Sequence, residues 1–180
     1  CLNQSKLTGT LRAGDGFTLC ACQDSRNNKP VEKIVVADGA EVTLYGFAID
    51  AIEVGANATL NIRNGKNNYN PNMNITKIGE HSVVNQYGAN LDGTDYVHSI
   101  VPELVIKDTV TVNIFDGRIG YTSLLSGGVL NIHGGSTTKV CAGEAGSAIN
   151  IYGGRSGIIE TNGDLNLHTG FKGMDDITIT

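Results

Sequence analysis

Four cysteines, four histidines and a scatter of carboxylates are the groups in this chain able to cross-link, bind metal or catalyse. Cys20-Ala21-Cys22 is one residue too tight for a zinc-ligand pair, and no second pair or nearby His follows. Cys1, Cys20, Cys22 and Cys141 suit disulfides in an oxidising, extracellular setting better than they suit metal. The acids Asp15, Asp38, Glu53, Asp108, Asp116, Glu144, Asp164, Asp175 and Asp176 are spread through turns and ends. A glycosidase needs two carboxylates facing each other across one bond, and the spacing predicts no such pair. Nucleophile-elbow, metalloprotease, phosphate-loop and EF-hand motifs are absent from the sequence. The expectation is no catalytic residue, no metal and no cofactor. Three N-glycosylation sequons begin at Asn3, Asn57 and Asn74, which a eukaryotic secretory route would expose to modification.

Any such group must be positioned by short, turn-rich elements. Gly is 24 of 180 residues, well above its usual share of about 7%. With 40% hydrophobic and 17% charged residues, the composition argues against disorder. A net charge of −5 disfavours a broad nucleic-acid footprint, and no apolar run is long enough for a membrane-spanning helix. The chain opens on Cys rather than Met, which predicts a processed chain whose signal peptide has been removed.

One phrase recurs: an apolar residue, Asn or Thr, an apolar residue, then a Gly turn. It reads Val42-Thr43-Leu44, Leu60-Asn61-Ile62, Val112-Asn113-Ile114, Leu130-Asn131-Ile132, Ile149-Asn150-Ile151 and Leu165-Asn166-Leu167. Phe17-Thr18-Leu19 precedes them and Ile177-Thr178-Ile179-Thr180 follows. The regular steps are 18, 18, 19 and 16 residues. A shorter strand comes before most of these phrases, as in Ile34-Val35-Val36, Ile52-Glu53-Val54, Leu104-Val105-Ile106 and Ile158-Ile159-Glu160. Tight turns such as Ala37-Asp38-Gly39-Ala40 and Gly55-Ala56-Asn57-Ala58 join the two, with Gly and Asn suited to left-handed backbone. No segment carries the apolar spacing of a helix.

Units this small cannot fold alone, and stacked they become coils, each strand pairing with its counterpart one coil away. The expected fold is all-β: a single-domain parallel β-helix over 1–180, with coils of about 16–19 residues, roughly eight to ten of them at about 4.8 Å per coil. The repeats, over about residues 10–65 and 104–180, resemble right-handed parallel β-helices, including the Gly-rich passenger regions of bacterial autotransporters and adhesins. Surface adhesins, polysaccharide lyases, tailspikes and filament or scaffold proteins belong to that class. Residues 66–103 break the pattern and are expected to form irregular coils or a loop excursion.

Alternation along each strand sends Leu60 and Ile62 inward, and Asn61 and Arg63 outward. Stacking then builds an amide column of Thr18, Thr43, Asn61, Asn113, Asn131, Asn150 and Asn166. Beside it runs an exposed contact column of Cys20, Tyr45, Arg63, Phe115, His133, Tyr152 and His168. That column reads either as a surface for sugars or a neighbouring rod, or as ladder packing within the sheet. His133 and His168 stand two coils apart, about 10 Å, too far for one metal ion. Thr-X-Thr stretches such as Thr109–Thr111 and Thr178–Thr180 are too few for an ice-binding array.

Ile177, Thr178, Ile179 and Thr180 alternate like a strand and are expected to pair, with one candidate partner being the first coil of another copy. Cys1 can reach Cys20 or Cys22, whereas Cys141 lies about 20 Å or more away. A head-to-tail stack would let Cys141 meet the leading segment of the next subunit. The expected role is therefore a secreted, structural, non-enzymatic subunit that assembles head to tail with itself into an extracellular filament or surface layer. The alternative is a monomeric adhesin or glycan-binding module, with a polysaccharide lyase or hydrolase third.

Overall fold

A computed structural model describes residues 8–20, 31–45, 48–64, 72–93, 103–168 and 178–179. Cys1, Cys22, Asn3, Ile177 and Thr180 lie outside the described residues, as do 66–71 and 94–102. Alternating Val, Ile and Leu against Thr and Asn extends each phrase as a strand with one apolar side. The strands are β1 (Thr10–Ala13), β2 (Phe17–Cys20), β3 (Val31–Val36), β4 (Glu41–Tyr45), β5 (Ile49–Val54), β6 (Thr59–Arg63), β7 (Asn72–Ile78) and β8 (Val83–Gly93). They continue as β9 (Glu103–Ile106), β10 (Thr111–Leu124), β11 (Val129–Ile132), β12 (Ser136–Ala142), β13 (Ala148–Ile151), β14 (Arg155–Thr161), β15 (Asp164–Leu167) and β16 (Thr178–Ile179). No helix occurs among the described residues.

Every strand pairing is parallel, and the strands stack in two rows. The phrase row runs β2, β4, β6, the start of β8, the start of β10, β11, β13 and β15. The companion row runs β1, β3, β5 and β7, then the end of β8, the second half of β10, β12, β14 and β16, with β9 paired to β10. This is a parallel β-solenoid. It climbs about seven turns, fewer than the eight to ten expected. The difference arises between Asn61 and Asn113, where two turns take steps of 24 and 28 residues. β7 and β8 fall within 66–103 and pair with β5, β6 and β10.

The apolar positions of both rows point into one continuous core. Leu44, Leu60, Ile62, Val84, Val112, Ile114, Leu130, Ile132 and Ile149 in the phrase row are fully buried, as are Ile34, Ile52, Ile119, Val140 and Ile159 in the companion row. Filling each such position removes a side chain from water at a gain of about 1.5–3 kcal/mol. Gln86 interrupts this pattern. It occupies the register position between Ile62 and Ile114 and is wholly buried. Its Nε2 donates to the carbonyls of Ala89 (2.9 Å) and Arg118 (3.0 Å), tying down the corner where β8 bends between the rows.

The turn from the companion row to the phrase row repeats a left-handed residue. Gly39, Asn57, His81, Thr109, Gly127 and Gly146 have φ of 71°, 56°, 58°, 64°, 76° and 81°. Thr109 is the misfit, because a β-branched side chain opposes this conformation most strongly. Thr109→Gly is expected to stabilise the fold by about 0.5–1 kcal/mol, the relief of left-handed strain exceeding the lost hydroxyl contact with His81 and the added freedom of the unfolded chain. Thermal denaturation would register this as a rise of about 1–4 °C.

The companion row splits once. Backbone bonds link Gly55 N–H to Val36 (3.0 Å), Gly79 N–H to Val54 (2.8 Å) and Leu125 N–H to Ile106 (2.9 Å). Among the described residues no such bond joins Lys107 to Ile78, so β7 and β9 part company at their C-terminal ends.

Candidate functional site

The outward side of the phrase row carries two continuous ladders. In the first, each Asn side chain donates to the one below. Asn61 Nδ2 donates to Glu41 Oε1 (3.0 Å), Asn85 to Asn61 (2.9 Å), Asn113 to Asn85 (2.8 Å), Asn131 to Asn113 (2.7 Å), Asn150 to Asn131 (2.8 Å) and Asn166 to Asn150 (2.9 Å). The ladder is therefore polar: its N–H groups face low residue numbers, and its last carbonyl oxygen, on Asn166, accepts no bond among the described residues and faces high ones. Amide chains of this kind polarise one another and strengthen in sequence.

The second ladder is aromatic. The Arg63 guanidinium lies 4.3 Å from the Tyr87 ring centroid. Tyr87 stacks on Phe115 (4.8 Å, 6°), Phe115 on His133 (4.8 Å, 7°), His133 on Tyr152 (4.5 Å, 6°) and Tyr152 on His168 (4.0 Å, 13°). Tyr45 pairs in register with Arg63, and Cys20 with Tyr45. Both columns read from the sequence are thus brought together, and each gains a member from β8. Asn85 and Tyr87 escaped sequence reasoning because Gln86 stands where the phrase needs an apolar residue. The available signal was the pair Asn85 and Gly88, with Asn85 lying between Asn61 and Asn113.

The stacking limits what the rings can do. Each ring spends its faces on its neighbours and turns its edge to solvent, although Phe115 and Tyr152 remain 39% and 41% exposed. Sugars stack on open ring faces, so the column is a stabilising ladder along its length, each pair adding about 0.5–1.5 kcal/mol. Only the last ring, His168, has no ring stacked on its outer side among the described residues.

Glycine corners let the ladders stack so closely. After Phe115, His133 and Tyr152 the chain turns through Gly117, Gly134-Gly135 and Gly153-Gly154. A Cβ on Gly135 would sit 2.6 Å from the Gly117 carbonyl oxygen, and one on Gly153 2.7 Å from that of His133.

The outward side of the companion row holds further titratable groups. Lys33 Nζ meets Glu53 Oε1 at 2.7 Å, and this hydrogen bond holds the Glu53 carboxyl below its ordinary range. Lys139 Nζ lies 2.9 Å from Glu160 Oε1, whose hydrogen bond raises the lysine. The Ser123 hydroxyl donates to the carboxylate of the buried Glu103. Cys141 is 8% exposed and donates to Glu160 Oε2 at 3.4 Å. Burial, with this bond second, pushes its thiol up to about 11. A thiol so protonated is a slow nucleophile, which counts against Cys141 as the natural partner for an intermolecular disulfide. Labelling by a thiol-disulfide reagent at pH 8 is expected to run at least about tenfold slower at Cys141 than at an exposed cysteine, and to accelerate toward pH 11. The folded thiol keeps its proton above the unfolded value, so its contribution to stability is complete below pH 9.0 and is lost as pH rises toward 11.

Where β7 and β9 diverge, an open groove of about 670 Å³ is lined by Thr76, Lys77, Glu80, Leu104, Lys107 and Asp108, among others. Among the described residues no group of three or more His, Cys, Asp or Glu side chains is placed to hold a metal ion, and no disulfide is formed. Among the described residues no helix is long and apolar enough to cross a membrane. Of the sequons, Asn57 is exposed in its left-handed turn and Asn74 is half-buried in β7. Family models, curated proteins and solved structures were each compared with the chain, and none matches it.

Proposed function

We propose that the chain is a structural, non-catalytic β-solenoid subunit that assembles end to end with itself into an extracellular filament or surface layer. The observation carrying this reading is that both ladders run in register to the outermost described phrase strand and stop on groups with more to bind. Leu167 is 55% exposed, the Asn166 carbonyl oxygen faces outward along the stack, and among the described residues β15 pairs with β13 alone. An unpaired strand edge is a template for another strand. The sequons at Asn57 and Asn74 and the close sequence spacing of Cys20 and Cys22 suit the extracellular setting. Negative-stain electron microscopy of the purified protein over rising concentration tests it: unbranched rods one solenoid wide are expected, and compact single particles at every concentration would overturn it.

A second reading is a monomeric adhesin or glycan-binding module, favoured by the groove between β7 and β9 with its mixed Lys, Thr and acidic lining. Retention of a glycan by the monomer, lost on Lys77→Ala, would favour it.

A further inference from the structure

We infer that the ring column is a one-electron relay: oxidation entering at Tyr87 passes along the stack and collects on Tyr152. This goes beyond the end-to-end reading and does not depend on it.

The chain has no Trp, and among Tyr, His and Phe the phenol gives up an electron most readily. The column holds two phenols. Tyr87 and Tyr152 are joined through Phe115 and His133 by three stacked contacts of 4.8, 4.8 and 4.5 Å, with the rings 6°, 7° and 6° from parallel. Near-parallel rings in van der Waals contact overlap their π systems, and that overlap is the electronic coupling a transfer needs. A solenoid supplies it because successive rungs repeat one side-chain position at one spacing.

The two phenols differ in what covers their faces. The Arg63 guanidinium lies 4.3 Å from the Tyr87 centroid, and a cation held by a ring's electrons opposes their loss. Tyr152 has a ring on each face, His133 at 4.5 Å and His168 at 4.0 Å. The bias therefore runs from Tyr87 toward Tyr152. Tyr152 is also 41% exposed, so its edge meets water and solutes.

A one-electron oxidant in solution, such as a metal complex, takes one electron from Tyr87, and the phenolic proton goes to water. Tyr152 then passes one electron along the column to the Tyr87 radical. Tyr87 regains a proton from water as Tyr152 gives one up. A one-electron reductant such as ascorbate returns the electron to Tyr152, and water returns the proton. Tyrosyl radicals cross-link by forming a carbon–carbon bond at a ring face. Both faces of each phenol are taken, so the column cycles instead of coupling.

The test uses the full chain with Tyr45→Phe, Tyr69→Phe, Tyr96→Phe and Tyr121→Phe, which leaves the two column tyrosines, and circular dichroism to confirm the fold. Photogenerated tris(bipyridine)ruthenium(III) supplies the oxidant, and freeze-quench electron paramagnetic resonance follows the radical, assigned by adding Tyr87→Phe or Tyr152→Phe. The Tyr152 share is expected to grow between early and late quenches as the Tyr87 share falls. His133→Leu breaks the stack and is expected to freeze both shares at their early values. Arg63→Gln keeps the transfer and is expected to lower the final ratio of Tyr152 to Tyr87 radical about threefold. If the four-Phe chain does not fold, the same subtractions are made in the parent with Tyr87→Phe and Tyr152→Phe alone. Shares that stay constant in the intact column, or that drift equally in His133→Leu, would overturn the relay. So would dityrosine forming as fast in the folded four-Phe chain as in the same chain unfolded by urea.

Discussion

Gly135→Ala is expected to destabilise the fold by about 2–5 kcal/mol, whereas Gly39→Ala costs only about 1–2 kcal/mol. Both glycines are left-handed, with φ of 69° and 71°. They differ in what a Cβ would meet. At Gly39 nothing lies within 4 Å, so only the conformational cost applies. At Gly135 the added carbon falls 2.6 Å from the Gly117 carbonyl oxygen, and the backbone of one rung must lift off the next. That lift separates the rings at Phe115 and His133, which stand one residue or two before the corner. Urea unfolding of both variants checks this: equal midpoints would mean that the corners are not packed rung on rung.

The amide ladder predicts the second large effect. Asn113→Ala removes one donor and one acceptor at once, leaving Asn85 Oδ1 and Asn131 Nδ2 without their partners. Because these groups are partly buried, the expected loss is about 2–3 kcal/mol. Asn166→Ala loses a single bond at an exposed position and is expected to cost less than about 1 kcal/mol. A graded response from the middle of the ladder to its end, read by the same denaturation, is the signature of a continuous column. Equal small losses at both sites would indicate independent, water-facing amides.

Much of this architecture is legible in the sequence because the code is local. The triplets around Asn113, Asn131, Asn150 and Asn166 alternate with period two and end on a ring and a glycine, so register and facing follow together. The turn residues Gly39 and Asn57 announce their left-handed backbone in the same way. What the pattern hides is a rung that keeps its ladder residues but changes its core residue. Val84-Asn85-Gln86-Tyr87 lies in perfect register with Leu60-Asn61-Ile62-Arg63 in its first three residues, yet buried Gln86 is a tertiary device for holding the Ala89 corner, and no local rule predicts it. Ring stacking was equally hidden, since alternation places the rings on one side without saying whether their faces meet each other or solvent. The burial that raises the Cys141 thiol likewise depends on neighbours one turn away, on β14 and β10, rather than on its own strand.

The most direct test of the central claim is electron cryomicroscopy of assembled protein with analysis of its layer lines. Copies stacked head to tail along the solenoid axis place every strand across the filament, so a strong repeat of about 4.8 Å is expected along the filament axis, uninterrupted from one copy to the next. A filament whose strand spacing runs across its axis, or a preparation that stays monomeric under all conditions, would contradict it.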